Sequence, residues 1–174
     1  MQAHRGQARV GVRLGRRDRG RRGARVMSTA AVRAPARGVA SLVIAALGLA
    51  ISTYLTVEHF TSSLTLACPE SAAINCQKVT TSSWSHVGPV PVAVLGLAYF
   101  VVMTALCTPW AWRVPALDLV RVAGAVLGVL VALYLVWVEL FRVDAICLWC
   151  TGVHVCTLLL LGAVLWTRGD QRAG

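Results

Sequence analysis

Four long apolar runs constrain this chain more than any other feature: about Gly38 to Val57, Val90 to Cys107, Leu119 to Phe141 and Ile146 to Trp166. Each approaches the ~20 residues with which a helix crosses the hydrocarbon of a bilayer. A composition 57% hydrophobic and only 14% charged, within 174 residues, fits one membrane domain and departs from a soluble globular average. The expected fold is an all-α integral membrane protein, a four-transmembrane-helix bundle over residues 38–166. A basic, disordered segment 1–37 precedes it, and a short tail 167–174 follows.

A formal net charge of +10 raises the question of nucleic acid, but 11 of the 17 basic residues lie before the first apolar run. Such a block is a positive-inside topology signal rather than a ligand surface, so no nucleic-acid partner is expected. Residues 1–26, rich in Arg and Gly, lack the apolar side chains that would offset the entropy of ordering them. Met27 suggests that the native protein starts there, an expectation that mass spectrometry of the N-terminus would decide. The first run exceeds the 7–15 residues usual for a cleaved signal core and is read as an uncleaved anchor.

With the N-terminus inside, 15 basic residues fall on inner segments, and only Lys78 and Arg142 fall on outer ones. Both termini are then cytoplasmic. A long extracytoplasmic loop, Glu58 to Pro89, joins helices 1 and 2, and a very short outer turn, Arg142 to Ala145, joins helices 3 and 4. Gly124 and Gly128 in the third run read as a close helix-packing pair.

This topology brings four of the six cysteines to one face: Cys68 and Cys76 in the outer loop, Cys147 and Cys150 in the first turn of the fourth helix. Cys107 and Cys156 read as small buried side chains. A C-x-x-C pair at a helix start sets a sulfur near unpaired backbone N–H groups and the positive end of the helix dipole, which stabilise the attacking thiolate. A zinc site would ask for four ligands, and neither the loop spacing nor a position at the lipid boundary favours one. No metal ligand set is therefore expected. The loop pair, with seven residues between its members, suits a two-station relay in which one pair meets a soluble partner and the other passes electrons to an acceptor in the bilayer, such as a quinone. A static Cys68–Cys76 staple remains the alternative.

His154 lies seven and four residues from Cys147 and Cys150, on the same helical face, and an ionisable side chain within a span is a functional candidate. It would bond a quinone oxygen or deliver a proton, or else bond a neighbouring helix. Glu139, near the outer end of the third span, reads as structural or positioning, kept charged by interfacial water. Trp84, Trp137 and Trp149 fit an interfacial belt, Trp149 additionally tuning the redox potential of the pair. His59 and His86 read as loop residues near the membrane surface.

Ile74-Asn75-Cys76 with Val79 and Ser82, then Gly88-Pro89-Val90-Pro91 leading to Leu95-Gly96, and Glu139-Leu140-Phe141 before Ile146-Cys147-Leu148-Trp149-Cys150, resemble the vitamin K epoxide reductase family over about Ser41 to Trp166. The resemblance implies that Cys68 exchanges with the reduced partner, Cys76 shuttles electrons inward by bridging to Cys147, and Cys150 faces the quinone. It matches Ser82 to a loop serine that positions the site by hydrogen bonding, against the plainer reading of an ordinary loop hydroxyl. Many bacterial members add a fifth span and a fused thioredoxin-like domain. This chain ends soon after its fourth span, so it resembles a bacterial single-domain member with a separate extracytoplasmic thioredoxin-like partner.

The expected activity is quinone-dependent disulfide generation in the cell membrane, with menaquinone or ubiquinone as acceptor and the active site on the extracytoplasmic side. The same pattern would serve reduction of a vitamin K or quinone epoxide. Other classes predict different behaviour: a soft-metal-ion carrier would hold stoichiometric metal between cysteine pairs, and a redox sensor would switch without turnover.

Overall fold

The computed structural model describes the backbone of residues 14–61, 67–69, 71 and 73–173, and the side chains of 38–61, 67–69, 71 and 73–169. Met1–Ala36 and Arg37–Gly174 are separate compact units. The first is described only as helical backbone from Leu14 onward, the beginning of helix α1 (Leu14–Thr61). The expectations of a disordered basic segment and of a start at Met27 concern residues 1–13, outside the described residues, and residues 14–37, whose side chains are outside them.

Within the second unit three helical stretches are long and apolar enough to cross a membrane, among the described residues: Gly38–Thr61, Ala116–Val143 and Leu148–Gly169. The first corresponds to the end of α1. The second joins α4 (Ala116–Val138) to a π-helical turn, Glu139–Val143. The third lies in α5 (Leu148–Ala173).

The apolar run expected from Val90 to Cys107 yields a shorter helix, α3 (Val92–Leu106), of 15 residues. Both ends have a local cause. Val90 and Pro91 belong to β2 (Val90–Pro91), which pairs antiparallel with β1 (His86–Val87) through a two-residue turn. Gly88 takes φ +61° in that turn, a conformation that costs glycine least. At the other end Pro109 follows Thr108, and the residue before a proline is disfavoured in helical geometry. Between α1 and β1 lie the short helix α2 (Cys76–Thr80) and a 3₁₀ turn, Ser83–Ser85.

The second long helical stretch ends at Asp144, the one non-glycine residue with positive φ, +52°, among the described residues. Aspartate tolerates this left-handed conformation better than most side chains. Its N–H and that of Ala145 both donate to the Glu139 carbonyl, so the chain reverses within a few residues toward α5.

The helices close around Ala45 of α1, Phe100 and Met103 of α3, Ala125 of α4, and Cys156, Leu160 and Val164 of α5. Phe100 lies against Gly48, where a methyl group would overlap its ring. Large apolar side chains such as Leu127, Leu130 and Leu133 point outward and stay exposed, a surface suited to lipid rather than water. At the end of the bundle opposite the Cys147–Cys150 pair, Arg121 is 1% exposed. Its Nε donates to the Leu106 carbonyl at 2.9 Å, its Nη2 to that of Ala111 at 3.0 Å, and its guanidinium lies 3.7 Å from the Trp112 ring centroid.

Candidate active site

Helix α5 begins on a sulfur. The Cys147 carbonyl accepts from the Thr151 N–H at 2.8 Å, and the Cys147 Sγ accepts from the Cys150 N–H at 3.3 Å. These are the two bonds that define an N-cap. The sequence reading put Cys147 inside the first turn; the structure moves it to the cap, with Cys150 three residues on. The cap sulfur faces otherwise unpaired N–H groups at the positive end of a long helix. Preceding the span, the Cys147 thiol is held below its ordinary pKa. The hydrogen bond from the Cys150 thiol contributes most, and the Cys150 and Trp149 backbone N–H groups add to it; burial and the nearby Glu139 carboxylate oppose them. Cys147 is fully buried, whereas Cys150 is partly exposed.

The loop pair is joined: Cys68 and Cys76 form a disulfide with Cα atoms 6.2 Å apart. Two separate ties bind it to the start of α5. At the Cys76 end, Ile74 and Ile146 form a parallel bridge, with Ile146 N–H donating to the Ala73 carbonyl at 2.9 Å and Asn75 N–H to the Ile146 carbonyl at 3.1 Å. The Asn75 side chain caps α2 by accepting from the Lys78 N–H, and Lys78 Nζ donates to the Asp144 carbonyl at 3.2 Å. At the Cys68 end, the Trp149 indole N–H donates to the Ala67 carbonyl at 3.1 Å, and the Ala67 N–H donates to the Tyr54 hydroxyl at 3.3 Å. The Tyr54 and Trp149 rings lie 4.7 Å apart, so Trp149 serves as a clip for the loop as well as standing where an interfacial belt would.

A cavity of about 510 Å³ opens beneath these elements, and its lining includes Cys150, His154, Ser82 and Glu139. Cys150, His154 and Ser82, the three residues expected at a bound acceptor, thus share one wall system. Cys147, Cys68 and Cys76 do not line it. His154 is 6% exposed, and its Nδ1 has no hydrogen-bond partner. Ser82 donates from its hydroxyl to the Val79 carbonyl at 2.9 Å and accepts at its own carbonyl from the Ser85 hydroxyl at 2.7 Å, so it closes the turn after α2 while facing the cavity.

Glu139 departs from its expected setting. It is 7% exposed and faces the cavity and the Cys147 backbone N–H, rather than standing in interfacial water. His59 also departs: it sits in the last turn of α1 and lines the cavity, its ring 5.2 Å from that of His86. Sequence reasoning missed Ser52 of α1 and Tyr99 of α3, which line the same cavity and whose buried hydroxyls have no hydrogen-bond partners. A lone Ser or Tyr in an apolar run carries no spacing signal. Cys107 and Cys156 lie buried in the helix core, away from the cavity lining.

A bound quinone would meet an apolar chamber, a thiol at its wall and an unpaired imidazole nitrogen, and the residues present fit such a ligand. Among curated proteins, none matches the chain. The model of the vitamin K epoxide reductase family matches residues 39–165. The chain therefore belongs to the vitamin K epoxide reductase family, and it is a membrane thiol-disulfide oxidoreductase.

Proposed function

We propose that this protein reoxidises a separate extracytoplasmic thioredoxin-like protein and passes the electrons through its two cysteine pairs to a membrane quinone, menaquinone or ubiquinone, thereby supporting disulfide formation. The observation that carries this reading is the position of Cys150. Its backbone N–H donates to the sulfur of the capping Cys147, and with His154 it lines an apolar cavity.

The thiol chemistry balances in two exchanges. A partner dithiol opens Cys68–Cys76 by thiolate attack and leaves as a disulfide, giving two thiols in the loop. Cys76 then attacks an oxidised Cys147–Cys150 pair at Cys147, and Cys68 resolves the mixed disulfide, restoring Cys68–Cys76 and leaving Cys147 and Cys150 reduced. A bound quinone supplies the two-electron, two-proton sink for that inner pair. Toward it, Cys150 presents its sulfur, and His154 holds or moves a proton at Nδ1. Ser82 and Glu139 position the wall around them, and the apolar lining excludes water.

The same reading takes α3 as the fourth span of the bundle, the hairpin and neighbouring turns extending its 15 residues at the outer surface. It sets both termini in the cytoplasm, with the cysteine pairs in the long connection between the first two spans and at the outer start of the last. The positive-inside count supports this orientation.

Anaerobic quinone reduction followed by absorbance, with a reduced thioredoxin-like donor and the six single Cys→Ala variants, tests the proposal. Cys68, Cys76, Cys147 and Cys150 variants are expected to lose turnover, and Cys107 and Cys156 variants to keep it. Loss in the latter two with Cys68→Ala unaffected would overturn the relay. Stoichiometric bound metal without quinone-dependent thiol oxidation would make the protein a metal carrier instead.

A further inference from the structure

Two hydroxyls in the cavity have no assigned work. Ser52 is 2% exposed, and its Oγ has no hydrogen-bond partner. Several other helix hydroxyls behave differently: those of Thr53, Thr56, Thr157 and Thr167 each return to a carbonyl four residues back, at 2.7–2.9 Å, while Thr104 of α3, its hydroxyl also buried and unpartnered, does not line the cavity. Such a return is the default for a hydroxyl in a helix surrounded by apolar groups. Ser52 forgoes it and points its oxygen toward Gly96 of α3, 3.6 Å from where a methyl on that glycine would sit. The Tyr99 hydroxyl is likewise buried and unpartnered, seated so closely over Gly128 of α4 that a methyl there would overlap it.

Both residues line the cavity that holds Cys150 and His154, but they come from different helices. Ser52 lies nine residues before the end of α1 at Thr61, and Tyr99 seven residues after the start of α3 at Val92. At 1.5 Å per residue each sits on the order of 10 Å along its helix from the loop-bearing end. By the same measure Cys150 lies about 3 Å and His154 about 9 Å into α5, so the hydroxyls are deeper than Cys150 and differ from His154 in the helices that bear them. The cavity thus has a sulfur and an imidazole on α5, and two free hydroxyl donors on α1 and α3. Buried unpaired hydroxyls are costly unless a ligand or water completes them.

We infer that Ser52 and Tyr99 form a second polar pole that donates hydrogen bonds to the carbonyl of a quinone remote from Cys150, while His154 serves the near carbonyl. The inference rests on the quinone reading above. It makes the pair a determinant of acceptor class: the site favours a ring with carbonyl oxygens at both ends over an acceptor bearing only one. Thr157, which also lines the cavity, is excluded from this role because its hydroxyl is already bonded to the Val153 carbonyl.

The test uses the full chain in nanodiscs with menadione as the probe. In oxidised protein, where no turnover occurs, binding is read from quenching of tryptophan fluorescence, Trp84 lining the cavity. Infrared difference spectra of menadione labelled with ¹³C at one carbonyl or the other report each carbonyl stretch separately. Both stretches are expected to shift downward in the unmodified protein. In the Ser52→Ala, Tyr99→Phe double variant only one should remain shifted. Each single variant is expected to raise the menadione Kd and KM about five-fold, the scale of one lost neutral hydrogen bond, with kcat nearly unchanged. Two shifted stretches persisting in the double variant, or a single shifted stretch in the unmodified protein, would overturn this pole and leave the quinone reading intact. No menadione binding to the unmodified protein would overturn both.

Discussion

Ile74 lies beside Ile146 in a parallel bridge, although the two are 72 positions apart in the chain. The pairing runs two strands in one direction, so that Cys76, two residues beyond Ile74, and Cys147, one beyond Ile146, follow from the same anchored point. Asn75 and Ala73 lock the bridge from either side through the Ile146 carbonyl and N–H. Thiol exchange needs one sulfur to approach another along a defined line, and a backbone tie holds that approach without using any reactive group.

This arrangement predicts which mixed disulfide forms. In a Cys68→Ala, Cys150→Ala double variant, Cys76 and Cys147 are the two cysteines of the relay that remain, and they are expected to bond on mild oxidation. A disulfide tolerates Cα separations only up to about 7 Å, so the product reports proximity directly. Peptide mapping under non-reducing conditions identifies it. In the matching Cys76→Ala, Cys150→Ala variant, Cys68 is expected to link to Cys147 poorly, and a Cys68–Cys147 product of equal yield would show that Cys76 has no privileged position.

Gly48 and Gly128 both lie against aromatic rings, yet substitution should act differently at the two. A methyl on Gly48 overlaps Phe100, which is fully buried in the helix core and has nowhere to go. Gly48→Ala is expected to cost about 1–3 kcal/mol, as overpacking of a tight core does, visible as a lower Tm in detergent. A methyl on Gly128 overlaps the Tyr99 hydroxyl, and that ring borders the cavity. Gly128→Ala is therefore expected to push the ring inward, with little loss of Tm and a raised KM for quinone.

The contrast shows what the sequence could reveal. Apolar runs long enough for lipid and two cysteine pairs are local signals: three of the four runs appear as helices long enough to cross a membrane among the described residues, and the family match covers both pairs. His154 was legible because a spacing of four from Cys150 fixes a shared helix face. The Ile74–Ile146 bridge was not, since pairing between distant residues leaves no periodicity. Ser52 and Tyr99 looked like ordinary members of apolar runs; only the packing of α1, α3 and α5 around one cavity separates them from other hydroxyls. The second run was read as a full span because its composition is continuous across Pro91, where the hairpin ends and α3 begins.

Arg121 was likewise counted only as an inner-side charge. In the structure it binds the connection between α3 and α4 from within, through the Leu106 and Ala111 carbonyls and the Trp112 ring. Asp118 faces it at 3.7 Å and also meets Arg168 of α5 at 2.9 Å. Arg121→Met removes donors from buried acceptors and is expected to destabilise the protein by about 3 kcal/mol. Arg121→Lys should recover little of this, because an ammonium lacks the planar fork that reaches both carbonyls. Thermal unfolding of the two variants in the same detergent measures the difference, and equal Tm values for Lys and Arg would show that charge alone suffices.

Trp149 offers a way to separate the two halves of the relay. Its indole N–H holds the Ala67 carbonyl, and its ring packs on Tyr54, whose hydroxyl takes the Ala67 N–H. Cys68 is the next residue, so the clip fixes the loop cysteine expected to meet the partner. Trp149→Phe keeps an aromatic ring against Tyr54 but loses the donor to Ala67, while Cys150 and the cavity behind it retain their groups. Its expected effect is a lower kcat/KM for the reduced thioredoxin-like donor, by about three- to ten-fold if one neutral hydrogen bond guides docking. The KM for quinone should be unchanged when a small dithiol such as dithiothreitol replaces the protein donor. Equal losses with both donors would place the role of Trp149 at the Cys147–Cys150 pair, where a change in the midpoint potential of that pair, read by thiol labelling in redox buffers, would then accompany them.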